Sequence, residues 1–315
     1  MADTSMSKGG VVIDAVRRFF DGDIWFSFKR SPITVIAAIV TFIYFFLALF
    51  GPMVAPHNPF DLASLFILDS FKPPAWVEGG EAKFLLGTDD QGRDVLSAII
   101  YGARVSLFIG FASVILALVI GVVLGLVSGY VGGALDAFIM RVAEIQLSFP
   151  AILIALLING VLRGALHVEN QADLAYTVLI LSIGISNWVQ YARTVRGSTM
   201  VERNKEYVQA AHVIGIHPAL IMWRHILPNV MGPVLVIATI QLAVAIITEA
   251  TLSFLGVGVP PTEPSLGTLI RIGNDFLFSG EWWITIFPGA ALAILVLAVN
   301  LLGDWLRDAL NPKLR

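Results

Sequence analysis

The chain contains no cysteine. That excludes a disulfide framework, a thiolate metal site and a cysteine nucleophile. Charge is also scarce: charged residues make up 14% of the chain, against roughly 25% in soluble domains. No lysine follows a glycine, so there is no G-x-x-x-x-G-K-[ST] loop to cradle nucleotide phosphates. H-E-x-x-H and G-x-S-x-G are absent as well, which removes two common hydrolase signatures. No catalytic residues are therefore expected. The formal net charge of −3 says little about partners in so apolar a chain, and no nucleic-acid partner is expected.

Apolar residues fill the space that charge leaves. They make up 57% of the 315 residues, and the mean hydropathy is +0.82. The expected fold is all-α, a polytopic membrane protein in contact with lipid. Apolar runs at about 33–54, 105–130, 138–162, 174–195, 230–257 and 284–303 each approach the ~20 residues that cross about 30 Å of hydrocarbon. The third is the least clean, because Arg141 and Glu144 lie in its first turns, three apart and able to pair. The first run is too long for a signal-peptide core and lacks a small-residue cleavage site after it, so no cleavable signal is expected.

Lysine and arginine set the expected orientation. Lys8, Arg17, Arg18, Lys29, Arg30, Arg141, Arg193, Arg196, Arg203, Lys205, Arg224, Arg307, Lys313 and Arg315 fall on the side of both termini. Of the rest, Lys72, Lys83, Arg93 and Arg104 share one long loop that counts little. Both termini and a loop at about 196–229 are expected in the cytoplasm. The organisation is then a cytoplasmic N-terminal segment 1–32, a transmembrane domain 33–303 and a cytoplasmic tail 304–315. Residues 11–30 alternate apolar and basic side chains and read as a helix lying on the membrane surface.

The stretch EYVQAAHVIGIHPALIMWRHILPN, residues 206–229, is polar and charged between two apolar runs. Tyr207, Ala210, Ala211 and Ile214 recur at helical spacing, giving a short helix beginning near Glu206 one apolar or small face. Gly215 supplies a C-terminal cap, and Pro218 suits the first turn of a second helix. Leu227-Pro228 is expected to end that helix. Such a pair is a surface for docking another protein. His212, His217 and His225 crowd it as interface or capping residues, since a spacing of five across a glycine suits one metal ion poorly. No metal site is expected.

The external segment, about 56–104, begins irregularly and then reads LGTDDQGRDVLSAIIYGARVSL. Thr88 or Asp89 is expected to cap a helix bearing Val95, Leu96, Ile99 and Ile100. Asp89, Asp90 and Asp94 are expected to be helix-start carboxylates on a solvated loop. Within the spans, Gly121, Gly125 and Gly129 make a G-x-x-x-G-x-x-x-G run that lets another backbone approach, inside this subunit or from a partner. Glu249 is an acid at depth, hence a path or gate residue or a structural partner of a neighbouring helix or of Arg104. Gln241 and Asn187 are weaker path candidates. Trp188 reads as an interfacial anchor.

These motifs resemble one family. Gln209-Ala210-Ala211, three residues, Gly215, nine residues, then His225-Ile226-Leu227-Pro228 is similar to the E-A-A-x3-G-x9-I-x-L-P loop of ABC importer permeases. Gln209 and His225 depart from the pattern. G-T-D-x-x-G-R-D-V-x-S before the second span, Ser148-Phe149-Pro150, and LSFLGVGVPPTEPSLGTLI at 252–270 resemble the dipeptide/oligopeptide/nickel branch, and within it the C-type subunit. The resemblance covers about residues 25–311. It implies a type I importer fold in a bacterial cytoplasmic (inner) membrane. It implies a second, B-type permease, two ATP-binding subunits that carry ATP and Mg, and an external substrate-binding protein. This chain would hold no cofactor of its own. Short peptides are the implied cargo, with nickel or another small solute as the alternative. A secondary transporter would call for paired intramembrane acids or an inverted repeat, and neither stands out.

Overall fold

The computed structural model describes residues 23–61, 65–165 and 171–309. Helix α1 (Asp23–Arg30) is the described part of the expected surface helix; residues 11–22 lie outside the described residues, as does 310–315 of the tail. Helix α2 (Pro32–Val54) starts where the Ser31 hydroxyl accepts from the Thr34 N–H and Pro32 occupies the first turn. Helix α3 (Val95–Val131) has 37 residues. At 1.5 Å per residue it is about 55 Å long, well beyond the hydrocarbon thickness. It therefore joins the two ends of the bundle. Its N-cap is Asp94, whose carboxylate accepts from the Ser97 N–H at 2.9 Å, and not Thr88 or Asp89.

The third expected span is two helices. α4 (Gly133–Leu147) and α5 (Ala151–Ala165) meet at 98° across Ser148-Phe149-Pro150. Pro150 offers no N–H and pushes the preceding residue out of helical geometry. The Ser148 hydroxyl donates back to the Glu144 carbonyl, closing α4 early. Arg141 and Glu144 do pair, at 3.4 Å on an exposed face.

The remaining elements are α6 (Gln171–Glu202), α7 (Glu206–Val213), α8 (Pro218–Phe254), α9 (Leu266–Asn274) and α10 (Trp283–Ala309). Among the described residues five helices are long and apolar enough to cross a membrane, or six if α4 and α5 form one crossing. The only pairing of strand type among them is a single bridge between Thr88 and Asp94. Leu227-Pro228 does not end a helix. α8 runs through it, because Met222–Ile226 forms a wider turn in which the Leu227 N–H bonds back to Met222. Such a turn opens the helix just ahead of the proline ring and relieves its clash.

The bundle is built on α3 against α6. A Cβ on Gly121 would stand 2.4 Å from Tyr191 Cβ, one on Gly125 2.5 Å from the Ala192 carbonyl, and one on Gly129 2.8 Å from the Arg196 carbonyl. No side chain fits there, so the glycine run serves packing inside this chain. Along this seam one apolar cluster joins Leu107, Ile109, Leu179, Ile183, Ile246 and Leu295. A second joins Val122, Leu126, Tyr191, Val195, Val208, Ala211, Ile226 and Val230 nearer α7.

Candidate functional site

The loop between α6 and α8 is a helix, a glycine turn and a second helix. α7 ends in a Schellman turn: the Gly215 N–H donates to His212 O at 3.0 Å and the Ile216 N–H to Ala211 O at 3.1 Å. Gly215 has φ +79°, a left-handed conformation that costs other residues about 1–2 kcal/mol. The imidazole Nδ1 of His217 accepts from the Ala219 N–H at 3.3 Å and caps the first turn of α8.

The apolar face read from the sequence divides in two. Ala211 is buried with Val208, which sequence reading missed. These two seat α7 on Leu126 of α3, Tyr191 and Val195 of α6, and Ile221, Ile226 and Val230 of α8. Glu206, Gln209, Ala210 and Pro228 are exposed, and His225 and Leu227 are half-buried. Ile214 and Tyr207 point outward too, together with Val213, Leu220 and Trp223, none of which the motif flagged except Ile214 and Tyr207. Large apolar side chains uncovered on a polar loop mark an interaction surface.

Polar contacts brace this seat. The Tyr207 hydroxyl donates to Glu202 at 2.5 Å and accepts from Asn229 Nδ2 at 3.0 Å, tying α6 to α8 through α7. Partial burial, and then the Glu202 carboxylate, push the Tyr207 phenol up to about 12. His212 Nε2 lies 3.0 Å from the Tyr130 hydroxyl, and the two rings stack at 5.9 Å. Arg203 donates to the carbonyl of Gly129 at 2.9 Å, and Arg196 grips Asp136 through two bonds of 2.6 and 2.7 Å. α3, α4, α6, α7 and α8 are thus joined at one end.

The far end carries a second polar cluster. Glu249 is fully buried; it accepts from Ser106 and from Ser253, each at 2.7 Å, and Ser106 accepts from the Leu266 N–H at the start of α9. Its partners are serines rather than Arg104. Asp89, Arg93 and Asp94 are buried, not solvated. Arg93 Nε donates to Asp89 at 2.6 Å and Nη1 to the Pro261 carbonyl at 3.1 Å, pinning the segment 86–94 to the loop after α8. Burial pushes the Asp89 carboxyl up, and the Arg93 guanidinium with the N–H groups of Arg93 and Gln91 opposes that rise. Trp283 Nε1 donates to Thr88 O at 3.0 Å and adds α10.

The other candidates lie apart from both clusters. Asn187 is half-buried and donates to its own helix, to Ile183 O at 2.9 Å, and Gln241 is half-buried on α8. Trp188 is buried rather than interfacial; its Nε1 donates to Gln146 at 2.8 Å, while Gln146 Nε2 donates to Ser186 O at 2.8 Å. Asn159 and Arg163 hold α5 by donating to Val257 O at 3.2 and 2.8 Å. Among the described residues no group of three or more His, Asp or Glu side chains is placed to hold a metal ion.

Comparison with known proteins gives a consistent picture. Residues 121–315 match the family model of the binding-protein-dependent transport system inner membrane component. Residues 19–74 match the N-terminal TM domain of oligopeptide transport permease C. The chain is 42% identical over 293 residues to the dipeptide transport system permease protein DppC of Escherichia coli (strain K12), covering 93% of each. It is 39% identical to the di/tripeptide transport system permease protein DppC of Pseudomonas aeruginosa, over 93% of this chain and 92% of that one. It is 36% identical to the oligopeptide transport system permease protein OppC of Bacillus subtilis, over 93% and 90%. The fold is similar to that of a chain from the inward-facing MetNI methionine ABC transporter, with a TM-score of 0.53 and 20% identity over 68% of this chain and 96% of that one.

Proposed function

This chain belongs to the family of binding-protein-dependent transport inner-membrane components, and from that premise we propose that it is the C-type permease of an ATP-driven importer of short peptides. Peptides are favoured over nickel because the relatives named above carry peptides in their names. A second permease completes the path, an external binding protein delivers cargo over the 56–104 and 258–283 loops, and two ATP-binding subunits supply energy. Both termini and the α7 loop face the cytoplasm, in keeping with the lysine and arginine distribution.

One observation carries the reading: α7 and the start of α8 present Val213, Ile214 and Trp223 to solvent on a seat shared by three long helices. An ATPase cleft that takes these side chains meets a rigid lever. Val208 and Ala211 press on α3, α6 and α8 together, so closure of the ATPases moves the three as a unit. α3 carries that movement from Leu126 to Ser106, about 30 Å at 1.5 Å per residue, and so to the Glu249 cluster. Glu249 acts there as a positioning residue that holds α3, α8 and α9 in one arrangement. ATP and Mg reside on the partners, and this chain provides no nucleotide loop of its own.

The test is reconstitution of the chain with its co-purifying subunits and binding protein in proteoliposomes. ATP-dependent accumulation of peptides is the expected result. Nickel uptake would replace the cargo, and uptake indifferent to ATP would overturn the proposal.

A further inference from the structure

At the outer end of the bundle a cavity of about 780 Å³ opens between α2, α3, α6 and the loop after α8. Its volume falls in the range of small-molecule sites. Phe45, Tyr101, Phe108 and Tyr176 contribute aromatic walls, and two side chains of opposite charge, Arg104 and Glu263, line the same cavity. Arg104 is exposed and has no hydrogen-bond or ion-pair partner among the described residues. Glu263 accepts from the Tyr176 hydroxyl at 2.7 Å through Oε2, which leaves Oε1 to receive a cation. A free guanidinium is built to take a carboxylate through two parallel bonds.

We propose that this cavity is an entry subsite for a short peptide with free ends, Arg104 taking the C-terminal carboxylate and Glu263 the N-terminal ammonium. The assignment rests on the peptide-permease reading and adds the residues that meet the cargo. Opposite charges on one lining match the two termini of a zwitterion, and the aromatic surfaces beside them accept varied side chains without selecting one. The site also borders the buried clusters. Arg104 lies two residues from Ser106, which holds Glu249, and Glu263 lies two residues from Pro261, whose carbonyl Arg93 holds. A rearrangement of those contacts changes the separation of the two charges and so releases the peptide.

The experiment uses the purified complex without binding protein and a tripeptide whose central residue is benzoylphenylalanine, as free acid and as C-terminal amide. The expected result is photolabelling at Tyr101 or Phe108. Labelling falls about tenfold in Arg104→Gln, as expected for loss of one charge-assisted contact, and recovers in Arg104→Lys. The amide labels the wild type as weakly as the acid labels Arg104→Gln. Labelling that misses the cavity, or is equal for acid and amide, overturns the subsite. So does a phospholipid retained by the wild type and lost from Arg104→Gln in native mass spectrometry. ATP-driven peptide uptake by the same wild-type preparation separates the two levels of the argument. Uptake with misplaced labelling removes only the subsite, and absence of uptake removes the peptide reading beneath it.

Discussion

At the α7 end the backbone is regular and the side chains are uncovered: Val213, Ile214 and Trp223 stand 87%, 73% and 69% exposed around a capped helix. At the far end the backbone of residues 86–94 is irregular apart from the Thr88–Asp94 bridge, yet Asp89, Arg93 and Asp94 retain only 3%, 2% and 3% exposure. The first region is closed by a backbone Schellman turn and is incomplete in its apolar contacts. The second has exchanged a helical ladder for a buried network that ties it to α10 and the loop after α8. An irregular segment held this way is a fixed structural piece, and a regular helix left half bare is a surface awaiting a partner.

The comparison breaks or sharpens at four positions. Arg93→Ala leaves the Asp89 carboxylate buried without its partner, which costs about 3–5 kcal/mol; the thermal midpoint of the detergent-solubilised chain reads it, and an unchanged midpoint would mean the segment is not a fixed piece. Glu249→Ala orphans the hydroxyls of Ser106 and Ser253 at about 1–3 kcal/mol each. Glu249→Gln keeps an acceptor, so it should retain more folded yield than Ala, and equal yields would remove the hydrogen-bonding role. Gly215→Ala forces a side chain to φ +79°, at about 1–2 kcal/mol. Insertion should survive while ATP hydrolysis is weakly coupled to uptake, measured as peptide accumulated per ATP. Trp223→Ala should change stability by no more than about 0.5 kcal/mol, while co-purification of the ATPase falls. Loss of folding in that variant would make Trp223 a core residue after all.

The sequence makes the α7 loop readable because its signals are local. Gly215 and Pro218 each demand a particular backbone, and the structure provides a Schellman turn and a first helical turn at those positions. What it hides is direction. Ala211 and Ile214 share a helical spacing, yet one faces α3 and the other solvent, because the position of the bundle decides which side is covered. The break at Pro150 was written in the chain as a proline within an apolar run, but composition alone favoured one span over two short helices. Pro228 taught the reverse, since the wide turn before it let α8 continue. The buried cluster at the far end was the least legible. Asp89 and Arg93 look like solvated charges until Pro261, 168 residues away, supplies the contact that encloses them.

The absence of cysteine allows a direct measurement of docking. Single substitutions Val213→Cys and, as the reference, Leu68→Cys, an exposed position of the external segment 56–104, would each be paired with the co-purifying ATP-binding subunits and a short bifunctional thiol reagent. Crosslinks from position 213 alone, shifting in yield when ATP is trapped, are the expected result. Crosslinks from position 68 to the ATP-binding subunits, or none from position 213 in a complex that still transports peptide, would contradict the assignment of the uncovered α7 surface to the ATPase.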